Sequence, residues 1–179
     1  MPMRVSVSDQ LAILRMVLVP VVMGLIMIDV PVWAAVLFVV AAITDFLDGY
    51  LARKMGQLTV LGAFLDSTAD KMLVTGTFLA LIAVDRASIW IAGTIITREF
   101  AVMALRSLAG LEGTHVPPSV WGKLKASAQF IALGFAIVRS GDRIGAWYFD
   151  EYLMVVAVVL TLYSGWDYIA SFFASRDTP

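Results

Sequence analysis

The sequence contains no cysteine and a single histidine among its 179 residues. Without cysteine the chain can form no disulfide, no thiolate nucleophile and no cysteine metal site. Histidine-rich metal sites are excluded as well. The chemistry of this protein therefore has to come from other side chains.

Charge is also scarce, since only 15% of the residues are charged while 60% are hydrophobic, and the mean hydropathy is +0.88. These values lie far outside those of a water-soluble domain. The net charge of −1 provides no basic face for a phosphate backbone, so we expect no nucleic-acid partner. The composition predicts an integral protein of the lipid bilayer.

Six apolar runs, extended by weakly polar flanks, approach the ~20 residues that a spanning helix needs. Short breaks with Gly, Pro or Asp separate the runs, and no polar low-complexity segment indicates a second domain. We therefore predict an all-α integral membrane protein with six transmembrane helices, in a single domain over residues 1–179. The runs are Leu11–Ile28, Val32–Tyr50, Met72–Val84, Ile89–Leu108, Leu124–Val138 and Tyr152–Phe173.

The distribution of cations predicts the orientation. With the N-terminus inside, ten of the 13 lysines and arginines fall on one side of the membrane, and Arg86, Arg139 and Arg143 fall on the other. Cytoplasmic loops carry an excess of lysine and arginine. We expect both termini at the cytoplasmic face of the cell (inner) membrane.

One stretch is far more polar than its surroundings: TDFLDGYLARKMGQLTVLGAFLDSTADK, residues 44–71. We expect it to cover the end of the second helix, a short loop at Lys54–Thr59, and the start of the third helix. Asp45 and Asp48 are then about 60° apart on one helix, and Asp66 and Asp70 about 40° apart on the next. The short loop makes the two helices antiparallel neighbours, so both carboxylate pairs can converge at the inner face.

Four carboxylates that converge repel one another unless a hard cation binds between them. Mg²⁺ is the first expectation because it bridges carboxylates to substrate phosphates, and Mn²⁺ accepts the same oxygen ligands. Gly49 and Gly62 leave room for a ligand near the backbone, and Arg53 offers a bidentate phosphate donor. Taken singly, the glycines also fit close helix packing and Arg53 a positive-inside anchor. Together the residues predict a metal and phosphate site.

The complete pattern is Asp45-x₂-Asp48-Gly49-x₂-Ala52-Arg53-x₈-Gly62-x₃-Asp66-x₃-Asp70. Eight fixed residues at about 5–8% each coincide by chance with a probability on the order of 10⁻¹⁰ per starting position. The pattern resembles the signature of the CDP-alcohol phosphatidyltransferase family. The resemblance implies a six-helix membrane enzyme that forms a homodimer.

The resemblance also implies roles for the signature residues. Asp45, Asp48 and Asp66 would hold two metal ions that contact the pyrophosphate of CDP-diacylglycerol, and Asp70 would complete the metal site and act as general base. The nucleotide would bind at Gly49 and Arg53, with room at Gly62 and a hydroxyl contact from Thr44. An alcohol would then displace CMP directly, without a covalent enzyme intermediate, in agreement with the lack of cysteine.

Three cations at the inner ends of the fourth and fifth helices are candidates for binding the acceptor alcohol: Arg98, Arg106 and Lys123. Intramembrane cations are costly and indicate function, although positive-inside anchoring is the alternative. Lys123 and Lys125 are about 200° apart, so at most one of them points inward. Thr97-Arg98-Glu99 and residues 121–126 resemble segments of family members that use glycerol 3-phosphate, which is the expected acceptor, with its phosphate bound by the three cations.

The N-terminal run differs from that of the family, which is Asn-x-Leu-Thr-x-x-Arg. Here it contains Asp9 for Asn and Ala12 for Thr, while Arg15 is kept. An inositol phosphate acceptor, or phosphatidylglycerol to give cardiolipin, therefore stays an alternative. Outside the class, an intramembrane prenyltransferase would release pyrophosphate instead of CMP. A cation-coupled transporter would not need Gly49 and Arg53 at fixed offsets from the aspartates.

Overall fold

The computed structural model describes residues 7–55, 60–111, 120–139, 141 and 143–174, and within these ranges the side chains of 9–44, 62 and 64 onward. Apart from an isolated bridge between Ile144 and Trp147, the described residues form helices and turns. This confirms the all-α class. The six described helices are α1 Val7–Met27, α2 Pro31–Met55, α3 Val60–Ala83, α4 Ile89–Leu111, α5 Val120–Val138 and α6 Phe149–Ala174.

The described residues of the polar stretch, 44–55 and 60–71, lie on two consecutive helices, as predicted. α2 continues to Met55, five residues past the end of its apolar run, and α3 begins at Val60, twelve residues before the third run. Hydropathy detects only the apolar part of a helix, whereas the backbone hydrogen bonds continue through polar residues. The helices are therefore longer than the apolar runs where they carry the signature.

Two helical segments in the described part are long and apolar enough to cross a membrane, Asp9–Met27 and Phe149–Ala174, and Pro31–Thr44 is a shorter apolar segment. Any segment of α3 or α4 that is long enough to cross a membrane includes three charged residues. Membrane association thus has support from α1 and α6, while the arrangement of six spans stays a prediction. The charged residues are Asp66, Asp70 and Lys71 in α3, and Arg98, Glu99 and Arg106 in α4.

The surface is rich in large apolar side chains and the interior contains polar ones. Val17, Leu79 and Val159 are each more than half exposed, whereas Arg15 and Gln129 are buried. In water, so much exposed apolar surface would favour aggregation. This distribution fits a protein whose surroundings are hydrocarbon and whose polar groups satisfy one another inside.

The chain divides into two compact units, Met1–Arg86 with Ala136–Arg139, and Ala87–Phe135 with Ser140–Pro179. In the first unit α1 packs against α2 and α3, and α2 contacts α3. At Gly76 of α3, an added Cβ would lie 2.5 Å from Val19 Cγ1 of α1. The glycine therefore permits the close approach of α1 and α3.

The second unit holds α4, α6 and most of α5. α4 packs against α6, and α5 is joined to both helices by side-chain bonds from Lys125 to Glu99 and from Gln129 to Thr161. The ring of Trp121 on α5 also meets Tyr163 on α6 edge to face, with 4.7 Å between ring centres. Polar and aromatic contacts thus fix α5 in this unit.

Candidate active site

The first unit carries two signature aspartates on one face of α3. Asp66 and Asp70 are one turn apart, so their side chains leave the helix in similar directions. Arg15 of α1 donates from Nη1 to Asp66 Oδ1 at 3.3 Å; the arginine side chain is 1% exposed and the aspartate 41%. A buried guanidinium therefore holds one of the predicted metal ligands.

Asp45, Asp48, Gly49 and Arg53 lie in α2, but their side chains fall outside the described part, so their convergence with α3 stays a prediction. Where side chains are described, no group of three or more His, Cys, Asp or Glu could hold a metal ion. The described donors on α3 are carboxylate oxygens, which suit Mg²⁺ or Mn²⁺. The described half of the predicted ligand set fits a hard divalent cation.

Thr44 and Gly62, the other two predicted nucleotide contacts, lie in the described part of α2 and α3. Thr44 is half-buried near the middle of α2, and its Oγ1 donates to the carbonyl of Ala41 at 2.8 Å. A hydroxyl that donates in this way can still accept a hydrogen bond from a ligand. Gly62 is buried one turn before Asp66. Both positions are compatible with the predicted roles, which stay predictions.

The residues that depart from the family pattern in the N-terminal run are buried. Asp9 is buried near the start of α1, and Ala12 is fully buried one turn later. The Ala12 methyl group occupies a packed position. Arg15, the residue that the run shares with the family, bonds directly to a signature aspartate, a contact that sequence reasoning did not assign.

The second unit contains a buried polar network that sequence analysis did not predict. Glu99 of α4 accepts from Arg98 Nη1 at 3.2 Å and from Lys125 Nζ of α5. Gln129 Nε2 donates to Thr161 Oγ1 of α6 at 2.8 Å and lies 3.4 Å from Glu99 Oε1. We call these five residues the Glu99 network. In it, two cations share one carboxylate inside a bundle of apolar helices.

Arg98 is fixed on its other side by α6. Its Nη2 donates to Ser164 Oγ at 2.6 Å. At Gly165 an added Cβ would lie 3.0 Å from Arg98 Nε and 3.1 Å from its Cγ. The arginine side chain therefore lies directly against the α6 backbone, at a position where that helix has no side chain.

Arg106 and Lys123 are more exposed than Arg98. The guanidinium carbon of Arg106 lies 5.7 Å from the ring centre of Tyr168 on α6, so Arg98 and Arg106 both lie toward α6. Lys123 is exposed, whereas the Lys125 side chain is only 10% exposed. Of the two lysines, Lys125 is the one that points inward. The role of Lys123 in binding an acceptor stays a prediction, and Lys125 becomes a further candidate.

One signal in the sequence could have located Glu99. It belongs to the buried stripe of α4 that also contains Ala92, Ile95 and Val102. This spacing marks the packed face of a helix. A glutamate in such a stripe requires a buried partner, but the sequence does not identify Lys125 as that partner.

Comparison with known proteins agrees with these observations. A family model described as CDP-alcohol phosphatidyltransferase matches residues 5–163. A Bacillus subtilis (strain 168) protein named CDP-diacylglycerol--glycerol-3-phosphate 3-phosphatidyltransferase is 39% identical over 137 residues, covering 76% of this chain and 71% of the relative. Relatives with the same name from Shigella flexneri serotype 5b and Escherichia coli (strain K12) are 37% identical over 177 residues, covering 94% of this chain and 96% of each relative.

Proposed function

We propose a function for this chain on the basis that it belongs to the CDP-alcohol phosphatidyltransferase family. The protein transfers a phosphatidyl group from CDP-diacylglycerol to glycerol 3-phosphate. The products are CMP and phosphatidylglycerol phosphate, and the reaction is a step of phospholipid biosynthesis. The names of relatives that align with 94% of the chain support this donor and this acceptor.

The observation that carries the choice of acceptor is the Glu99 network. Arg98 and Lys125 supply two positive charges and Glu99 one negative charge, within helices that are otherwise mostly apolar. The Arg98 guanidinium and the Lys125 ammonium are charged donors that suit the phosphate of glycerol 3-phosphate. An uncharged alcohol has no group that would make such charge-assisted hydrogen bonds.

We assign the binding of the donor, CDP-diacylglycerol, to the residues of the family signature. Asp45, Asp48, Asp66 and Asp70 would hold two divalent ions, Mg²⁺ or Mn²⁺, and Thr44, Gly49, Arg53 and Gly62 would receive the nucleotide. When bound, the metal offsets the negative charge of the diphosphate and of departing CMP. The contact of Arg15 with Asp66 orients that ligand.

The transfer is a direct displacement. The acceptor's hydroxyl oxygen forms a bond to the lipid-linked phosphorus, the bond from that phosphorus to the CMP oxygen breaks, and the hydroxyl proton passes to the carboxylate of Asp70. Arg98 and Arg106 bind the acceptor's phosphate through guanidinium donors, which suit phosphate oxygens. Lys125 or Lys123 adds an ammonium group.

The setting of the reaction is also a proposal. The chain crosses the inner membrane six times as a single domain and forms a homodimer, with both termini and the active site on the cytoplasmic side. The ten to three distribution of cations supports the orientation. One family model that covers residues 5–163 supports a single functional domain.

The test is an acceptor panel. Purified protein would be given CDP-diacylglycerol with glycerol 3-phosphate, inositol phosphate, phosphatidylglycerol or glycerol, and CMP release would be measured. We expect the highest kcat/KM with glycerol 3-phosphate. A preference for another acceptor would refute the assignment, pyrophosphate release would indicate a prenyltransferase, and a failure to bind CDP would favour a transporter.

A further inference from the structure

Arg98 is held in one orientation by neighbours on two helices. Nη1 donates to Glu99 and Nη2 to Ser164, and the side chain passes over the bare backbone at Gly165. An arginine on a surface loses considerable rotamer freedom when it binds a ligand. Here the contacts with α4 and α6 have already restricted that freedom.

The hydrogen bonds to Glu99 and Ser164 also leave binding capacity on the guanidinium. Among the described residues, two of its five N–H groups make hydrogen bonds, one from each terminal nitrogen. Each terminal nitrogen keeps a second N–H group. A guanidinium held in this way can offer a pair of donors to phosphate oxygens, which a lysine at the same place could not do.

We propose that Ser164 and Gly165 are positioning residues, which hold the Arg98 guanidinium in the orientation that binds the acceptor's phosphate and thereby select a phosphorylated acceptor. The inference rests on the proposed function, because it takes Arg98 as a ligand of that phosphate. Ser164 and Gly165 act through Arg98 and need not touch the substrate.

The first test is Gly165→Ala. The added methyl group would meet Arg98 Nε and Cγ at 3.0 and 3.1 Å, so the arginine side chain must move away by a few tenths of an ångström. We expect the KM for glycerol 3-phosphate to rise about fivefold or more, because a misplaced guanidinium loses hydrogen bonds to the phosphate. The KM for CDP-diacylglycerol should change less than about twofold, since the donor is bound by the signature residues.

The matched control is Gly134→Ala in α5. An added Cβ at Gly134 has nothing within 4 Å, so both Michaelis constants should stay at the wild-type values. Ser164→Ala supplies a second variant that adds no bulk. It removes the hydrogen bond to Nη2 and should raise the same KM about threefold or more.

A double-mutant cycle separates positioning from a general effect on the helices. In an Arg98→Ala background there is no guanidinium to displace, so Gly165→Ala should cause no further change in the KM for glycerol 3-phosphate beyond about twofold. An equal rise in both backgrounds would overturn the inference. So would an unchanged KM in both Gly165→Ala and Ser164→Ala.

The outcomes also distinguish the inference from the proposed function. If Arg98→Ala raises the KM for glycerol 3-phosphate while Gly165→Ala and Ser164→Ala do not, only the positioning role fails. If Arg98→Ala leaves this KM unchanged, Arg98 is not the phosphate ligand and the inference fails with that assignment. If the protein does not use glycerol 3-phosphate at all, the proposed function itself is wrong.

Discussion

Replacement of Lys125 by Met tests whether the buried lysine binds the acceptor. The change removes the ammonium group and keeps most of the volume of the stem. Lys125 is buried and paired with Glu99, so the network would change from two cations and one carboxylate to one of each. One of the two buried cations that are proposed to bind the phosphate would be lost.

A charge-assisted hydrogen bond contributes about 1.5–3 kcal/mol, which corresponds to about 10- to 150-fold in affinity. We therefore expect Lys125→Met to raise the KM for glycerol 3-phosphate at least about tenfold, measured by CMP release from purified, folded protein. Lys123→Met is the comparison variant, because Lys123 is the alternative source of the ammonium group. Because Lys123 is exposed, its contribution is about 1 kcal/mol or less, or no more than about fivefold.

A double variant distinguishes binding from charge balance. If Lys125 only neutralises Glu99, then Lys125→Met combined with Glu99→Gln should restore the wild-type KM, since both charges of the pair are removed. If Lys125 binds the phosphate, the KM should stay high in the double variant. An unchanged KM in Lys125→Met, or full recovery in the double variant, would refute the reasoning.

Three further predictions concern the first unit. Activity should vanish in EDTA and return with excess Mg²⁺ or Mn²⁺, because the carboxylate ligands require a hard cation; full turnover in EDTA would contradict the metal assignment. Asp70→Asn should lower kcat far more than it weakens CDP-diacylglycerol binding, because a lost base acts on the transition state, and a normal kcat would exclude Asp70 as the base. Gly76→Ala should cost about 1–3 kcal/mol of stability and lower the thermal midpoint, since its Cβ would lie 2.5 Å from Val19 Cγ1. Gly24→Ala, with nothing within 4 Å of the added Cβ, is its control, and equal midpoints for the two variants would contradict the packing argument.

The helical fold and the position of the signature could be predicted because both depend on local properties of the sequence. Hydropathy located the helices, and fixed spacing placed the carboxylate pairs at the junction of α2 and α3, where α2 ends at Met55 and α3 begins at Val60. Hydropathy alone would have ended these helices too early, since polar residues such as Asp66 continue a helix that it does not detect. The spacing of the signature, with a loop expected at Lys54–Thr59, predicted the end of α2 to within two residues and the start of α3.

The partners across helices could not be predicted, because they depend on how the helices pack. Helical geometry indicated that only one of Lys123 and Lys125 points inward, but the choice requires the rotation of α5 relative to α4. The pairing of Glu99 with Lys125 joins residues 26 positions apart, and that of Arg15 with Asp66 joins residues 51 apart. Each contact joins two different helices, so the periodicity of residues along one helix could not have revealed it.

The most direct measurement of the central claim is the fate of radiolabelled glycerol 3-phosphate in the presence of purified protein, Mg²⁺ and CDP-diacylglycerol. The account predicts that the label enters the lipid fraction as phosphatidylglycerol phosphate, that each incorporated molecule is matched by one CMP, and that incorporation stops when CDP-diacylglycerol is omitted. Release of CMP without incorporation of label, or incorporation that does not require CDP-diacylglycerol, would contradict it.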